Sequence, residues 1–122
     1  MTKSQALYAF FSGFGIPAYE RSRVPESATY PYLTYDYKDA ELGELPVALT
    51  VDIYYITESN DEPDAKAAAM AAAVGRGGVT LPCDCGCIWL KRGSPFCQAL
   101  RDPIDRRINR RYINITAEFL TV

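Results

Sequence analysis

All four cysteines of the chain lie in one stretch, PCDCGCIWLKRGSPFCQ (residues 82–98), as Cys83, Cys85, Cys87 and Cys97. Thiols grouped in this way could form a zinc site, disulfides, or a set of small half-buried side chains. Structural zinc sites usually take two Cys-x2-4-Cys knuckles well separated in sequence. Here the spacing is Cys-x-Cys-x-Cys-x9-Cys. On an extended backbone Cys83, Cys85 and Cys87 would share one face at intervals of about 7 Å. That is wider than two thiolates on one zinc, where each Zn–S bond is about 2.3 Å. A turn at Asp84, Cys85 and Gly86 would bring them together, so zinc stays open as an alternative. Reduced, buried or half-buried thiols ask least of the chain, because free cysteine behaves as a small hydrophobe.

A second group with chemical potential is basic: Arg101, Arg106, Arg107, Arg110 and Arg111, with Lys91 and Arg92 upstream. One reading is a patch that meets phosphate. The other is a solvated or subunit-facing surface, paired with Asp102, Asp105 and the acids of a neighbour. Only Tyr112 is near in sequence, so the alternating aromatics of a single-strand stacking platform are missing, and the interface reading is the better one. The acids Asp36, Asp39, Glu41 and Glu44 lie on a charged loop and an adjoining strand end, read as without a basic or nucleophilic companion, and are expected to be solvated. GRGG at residues 75–78 follows a helix and lacks the Lys-Ser/Thr of a phosphate loop, so it reads as a helix stop. The chain has no histidine. Without the side chain best suited to proton transfer near neutral pH, a non-enzyme is expected.

The elements that must position these groups follow from composition and pattern. A chain of 122 residues, 48% hydrophobic and 23% charged, suits a single domain that can bury a core without metal or disulfides. No apolar run reaches the ~20 residues of a membrane span, and the N-terminal residues do not read as a signal peptide, so a reducing cytoplasm is expected and no membrane partner. The net charge of −2 hides an uneven split. Residues 1–61 carry 4 basic and 9 acidic side chains, and residues 62–122 carry 9 basic and 6 acidic. Such a split suits complementary surfaces in an assembly, while the overall acidity speaks against a dedicated nucleic-acid binder.

Thr2 and Gln5 form a capping-box pair ahead of a helix with Leu7, Phe10, Phe11 and Phe14 on one stripe, stopped by Gly13, Gly15 and Pro17. IPAYERSRVP reads as extended, and YPYLTYDY (residues 30–37) as a strand. The charged loop KDAELGELP (residues 38–46) leads into VALTVDIYYIT, where Val47, Leu49, Val51, Ile53 and Tyr55 share a face opposite Ala48, Thr50, Asp52 and Tyr54. This predicts a hairpin with a long protruding tip. The segment from Ser59 to Gly75 is a helix by its acidic first turn, its early Pro63, a cap from Asn60 or Asp61, and an alanine run suited to close packing on a sheet. GVTLP, CIWLKR and RYINITAEFLTV predict three further strands, with a turn of helix and a loop over GSPFCQALRDPIDRR. The expectation is one α+β domain over residues 1–122, a mostly antiparallel sheet with two helices in the order α-β-β-β-α-β-β-β.

Taken in order, SQALYAFFSGFGIPAY, YPYLTYDY, VALTVDIYY, the alanine-rich helix with GRGGVTLP, IWLKRGSPFCQALRDP and RYINITAEFL resemble a known family. The chain is similar over nearly its whole length to the tail terminator, or head–tail joining, proteins of long-tailed phages and prophages. The resemblance implies a virion structural protein at the head–tail junction. It would form a homo-oligomeric ring, a hexamer, that caps the finished tail tube and offers a surface to the head-completion connector protein. DNA would pass the lumen only as cargo. No catalytic, cofactor or metal residue comes with the family. Contact surfaces are expected at Lys38, Asp39, Glu41 and Glu44 and at Arg101, Arg106, Arg107, Arg110 and Arg111. Other connector components, such as a head-closure stopper or minor capsid protein, share the pattern. A zinc- or nucleic-acid-binding module built on the cysteines and arginines is the rival from another class.

Overall fold

A computed structural model describes every residue, 1–122. The chain runs α1 (Lys3–Phe11), β1 (Ala18–Glu20), β2 (Tyr32–Tyr35), β3 (Val47–Ile56), α2 (Asp61–Val74), β4 (Val79–Cys83), β5 (Gly86–Arg101) and β6 (Ile108–Thr121), with short 3-10 turns at Ser12–Phe14 and Arg21–Arg23. This is the α+β order expected from the sequence. The six strands form one sheet in the order β1-β2-β3-β6-β5-β4, antiparallel except for the β1/β2 pair.

Local chemistry accounts for most boundaries. The Thr2 hydroxyl accepts from the Gln5 N–H, and the Gln5 side chain accepts from the Thr2 N–H, so two of the free donors of α1 are satisfied reciprocally. Gly15, at φ +82°, lets the chain leave the following turn in a conformation other residues resist. Period-two alternation puts Leu49, Val51, Ile53 and Tyr55 of β3 beside Ile113, Ile115, Ala117 and Phe119 of β6, all buried. Leu7 and Phe11 from α1 and Ala67, Met70 and Val74 from α2 cover that side. Phe11 stacks on Tyr35 with ring centres 4.7 Å apart, and Lys66 ties the helices together by donating to the Phe14 carbonyl at 2.5 Å. Both helices therefore lie on one face of the sheet. The other face is open.

Three sequence expectations are corrected. Residues 94–101 are not a helical turn but the continuation of β5, paired with β6 after a bulge between Arg92 and Cys97. The bulge sits where Gly93 lies against Asn114 too closely for a Cβ, and Asn114 Nδ2 donates to the Pro95 carbonyl at 2.9 Å. The alanine run packs less than expected, for only Ala67 among its alanines is buried. Loop 38–46 does not simply protrude. Ala40 is buried, the Leu42 N–H donates to the Thr121 carbonyl at 2.8 Å, and Lys3 reaches Asp39 and the Ala40 carbonyl. Only its tip stands clear, with Leu42 62% and Leu45 86% exposed.

Gly86 opens β5 at φ +143°, where a Cβ would collide with the Leu120 carbonyl oxygen of the neighbouring strand. Gly86→Ala is expected to cost about 3 kcal/mol by strain and overpacking, read as a lowered urea midpoint. Gly13→Ala, at a position with open space around it, should stay within about 0.5 kcal/mol.

Candidate functional site

The open face of the sheet carries the densest set of groups able to recognise something. At one end Tyr19, Tyr30 and Tyr54 gather around Tyr32, with ring centres 5.1–5.9 Å from its own. Burial pushes the Tyr32 and Tyr54 hydroxyls above the usual phenol value, helped at Tyr32 by Tyr30 and at Tyr54 by Asp52, so both stay protonated donors. Next to them Arg21 reaches from its turn over the sheet to Asp36, Thr50 and Asp52. On the far side of Asp52, the Arg110 guanidinium stands 3.1 Å from its other carboxylate oxygen. That Arg110 pair has ion-pair distance but not hydrogen-bond alignment, since Asp52 Oδ1 and Arg110 Nε lack a directed partner. Beyond β6, the Lys91 ammonium lies 3.8 Å from the centre of the Trp89 ring and within 3.9 Å of Glu118. The face thus reads aromatic, then charged and paired, then cationic over an indole.

Asp52 is the least hydrated carboxylate in this set, with only 8% of its side chain exposed. Burial pushes its carboxyl up, against Arg110 and Arg21, which pull it down. The alternation on β3 puts Asp52 on this face. Its companions were not legible locally, because Arg21 precedes it by 31 residues and Arg110 comes from the last strand.

Of the residues expected at contact surfaces, several do internal work. Arg111 is buried, with 2% exposure. It donates to Asp64 at 3.0 and 2.8 Å, to Asn60 at 3.1 Å and to Asn109 at 2.5 Å, locking the start of α2 onto β6. Its placement as a surface residue is corrected: alternation turns it inward, and three polar partners make that inward site habitable. Arg101 likewise gives its guanidinium to the Thr57, Glu58 and Arg106 carbonyls and to Asn60. Asn60 stands at the start of α2 but does not cap it; its side-chain oxygen serves these arginines and Asn109 instead. Arg107 pairs with Asp105 at 2.9 Å and holds that carboxyl below its usual value. Arg106 is exposed. In the acidic loop Asp39 is held by Lys3 at 2.7 Å, Lys38 donates to the Ala48 carbonyl, and Glu44 accepts from the Glu41 N–H. Asp36 and Asp39 therefore do have basic companions, in Arg21 and Lys3, contrary to the sequence reading. The Arg110–Asp52 contact also means that part of the opposite charge of the two chain halves is met inside one subunit.

The four cysteines are free thiols, each partly buried. The β4–β5 turn brings Cys83 and Cys85 to 4.0 Å between sulfurs. Cys97 lies on β5 opposite Ile113, where burial pushes its thiol up. Nowhere do three Cys, Asp or Glu side chains come together as a metal shell would require.

Two further features were not anticipated. An open groove of about 810 Å³ runs between α1 and β1, lined by Tyr8, Ala9, Ser12, Tyr19, Glu20 and Tyr35 among others. The second is a free strand edge. β4 pairs only with Gly86–Leu90, so the rest of β5 has β6 on one side and no strand on the other. Asp102 N–H donates to the Ile108 carbonyl. Bonding alternates along an antiparallel ladder, so Leu100 and Gln98 bond to β6 while Cys97, Ala99 and Arg101 turn their backbone groups outward. The misread of residues 94–101 hid this edge.

No family model, no curated protein and no solved structure matches the chain. No helix is long and apolar enough to cross a membrane.

Arg111→Ala should cost about 3 kcal/mol, because it takes the donor from the buried Asn109 side-chain oxygen and leaves a void under α2, whereas exposed Arg106→Ala should change stability by less than about 0.5 kcal/mol. Chemical denaturation of the two variants checks this. Asp52 supplies a pH signature. A raised folded value means the folded chain binds the proton more readily than the unfolded one. Its contribution to stability is then fullest below the unfolded carboxyl value of about 3.9 and declines as pH rises from there through the folded value. Asp52→Asn should flatten the stability profile in that interval; an unchanged slope would show that the two guanidiniums balance burial, and a change of the opposite sign that they outweigh it.

Proposed function

We propose that this protein is a virion structural component of the tail-terminator kind, a ring that closes the completed tail tube and presents a docking surface to the connector of the DNA-filled head. It works by shape and contact, without catalysis or cofactor, and its place is the head–tail junction of the particle, assembled in the host cytoplasm.

What carries this reading is a single sheet left open at both ends. At one end β1 offers a short edge beside the groove under α1; at the other, Cys97, Ala99 and Arg101 turn unpaired backbone groups outward. A molecule with two different, non-self-complementary edges associates head to tail, and such contacts close into rings when the rotation allows. The exposed alanines of α2 (Ala65, Ala68, Ala69, Ala72 and Ala73) offer a smooth surface that a neighbour can approach closely. The tip of loop 38–46, with Leu42 and Leu45 bare, and Arg106 on the 102–107 turn are the surfaces left for tube and connector. The resemblance of nearly the whole chain to tail terminators supplies the biological setting.

The test is native mass spectrometry over a range of concentration and salt, alone and with tail tubes. A discrete ring, six copies by the family resemblance, is expected, and it should bind tube ends. Ala99→Pro removes only an outward N–H at a strand edge, where proline is tolerated, so it should keep the unfolding midpoint yet lose the ring. A ring that survives Ala99→Pro would move the interface elsewhere. A wild-type chain that stays monomeric even with tubes would sink the terminator reading.

A further inference from the structure

The β4–β5 turn holds two thiols and both chain ends at one place. Cys83 closes β4 opposite Gly86, and Asp84 and Cys85 make the connection. Their sulfurs, on Cys83 and Cys85, lie 4.0 Å apart and both residues are partly exposed. The Asp84 N–H donates to the Met1 carbonyl at 2.7 Å, and the Met1 ammonium pairs with the Asp84 carboxylate at 2.5 Å. From the other terminus, the Val122 N–H donates to the Cys85 carbonyl at 3.1 Å. Every one of these contacts hangs on the two residues that follow Cys83.

We propose that Cys83 and Cys85 form a reversible dithiol, a site of thiol–disulfide exchange whose closure loosens the attachment of both chain ends. Two residues apart, their Cα atoms are separated by at most about 7 Å, a span a disulfide can bridge. Closure needs the sulfurs to approach by about 2 Å, to an S–S bond of about 2.05 Å, and the peptide units between them must move with it. One of those units holds Met1 through the Asp84 N–H, and the Cys85 carbonyl that holds Val122 follows directly on the second. The other two thiols are placed differently: Cys87 lies in register with Pro82 and Leu120, and Cys97 beyond the bulge against Ile113.

The chemistry balances with a small-molecule disulfide, such as oxidised glutathione, as oxidant. Burial holds the Cys83 thiol above its usual value, which disfavours it as the attacking thiolate. Cys85 is therefore the first nucleophile. Its thiolate attacks one sulfur of the oxidant, one glutathione thiolate leaves, and a mixed disulfide remains on Cys85. Cys83 then gives its proton to solvent and attacks the Cys85 sulfur, expelling the second glutathione. Two protein thiols lose two electrons and two protons, and the oxidant becomes two thiols.

The experiment equilibrates the full chain in glutathione buffers of graded oxidised-to-reduced ratio, traps free thiols with N-ethylmaleimide and maps them by peptide mass. The expected product is an intramolecular link that lacks two hydrogens, survives in Cys87→Ser and Cys97→Ser, and disappears in Cys83→Ser and Cys85→Ser. Cys83→Ser should instead collect glutathione on Cys85. Hydrogen exchange at the Asp84 and Val122 amides should be about tenfold faster in the oxidised protein, and reversed by reductant. Free Cys83 and Cys85 throughout the series, or a link that needs Cys87 or Cys97, would overturn the site. A Cys83–Cys85 link that leaves exchange at both termini unchanged would overturn the coupling.

Discussion

The pairing of β3 with β6 is the constraint on which everything else rests. It runs without interruption from Val47 opposite Ala117 to Ile56 opposite Ile108, and it joins strands more than fifty residues apart in the chain. Because side chains alternate with period two, this one register decides both faces at once. It sets Leu49, Val51 and Ile53 against Ile113 and Ile115 beneath the helices. On the other side it lays Asp52 beside Arg110 and sets Tyr32 of β2 against Tyr54 of β3. A slip of one residue would put Asp52 in the core if β3 moved, or Ile113 in water if β6 did. The ionic contacts of Asp52 therefore act as a register check: they form in one alignment only, while the buried aliphatic side chains provide most of the stabilisation.

The same register explains why the arginine-rich segment does not behave as a unit. Arg110 and Arg111 are neighbours in sequence and point to opposite faces. One is the open-face partner of Asp52; the other is sealed under α2 with Asn60, Asp64 and Asn109. Arg101, at the far end of β5, reaches the same Asn60 from a third direction. A side chain that reads as a helix cap thus becomes the shared acceptor that positions α2 on the sheet, and Ser59 takes over the local role by accepting the Asp61 N–H. Charge density along a sequence is a poor guide to surface charge when strand alternation intervenes.

How much was legible follows from the range of the physics involved. The capping box of α1, the alternation of β3 and β6, and the glycine stop of α2 are local patterns, and the α+β order followed from them. Residues 94–101 misled because Gly93, Ser94 and Pro95 break any period, and only pairing with β6, a long-range contact, makes them strand. Arg111 could not be read as buried, because two of its partners, Asn60 and Asp64, lie 51 and 47 residues away. Loop 38–46 looked free because Lys3 and Thr121, which pin it, come from the two ends of the chain.

The free edge of β5 bears on what kind of association this protein permits. An unprotected edge of that length invites indiscriminate pairing. Here the edge is interrupted at its middle by the bulge and by Pro95, and it carries charge at Arg92 and Arg101. Both arginines are anchored, Arg92 on the Ala71 carbonyl and Arg101 on the 57–60 turn, so neither swings away to expose a continuous backbone. What remains open is a short segment around Ala99, too short to template a fibril but long enough to align one neighbour. Such a segment contributes little affinity alone. It becomes decisive when every subunit of a closed ring makes the same contact, or when a template holds the neighbours in place, because the later contacts then form at high effective concentration.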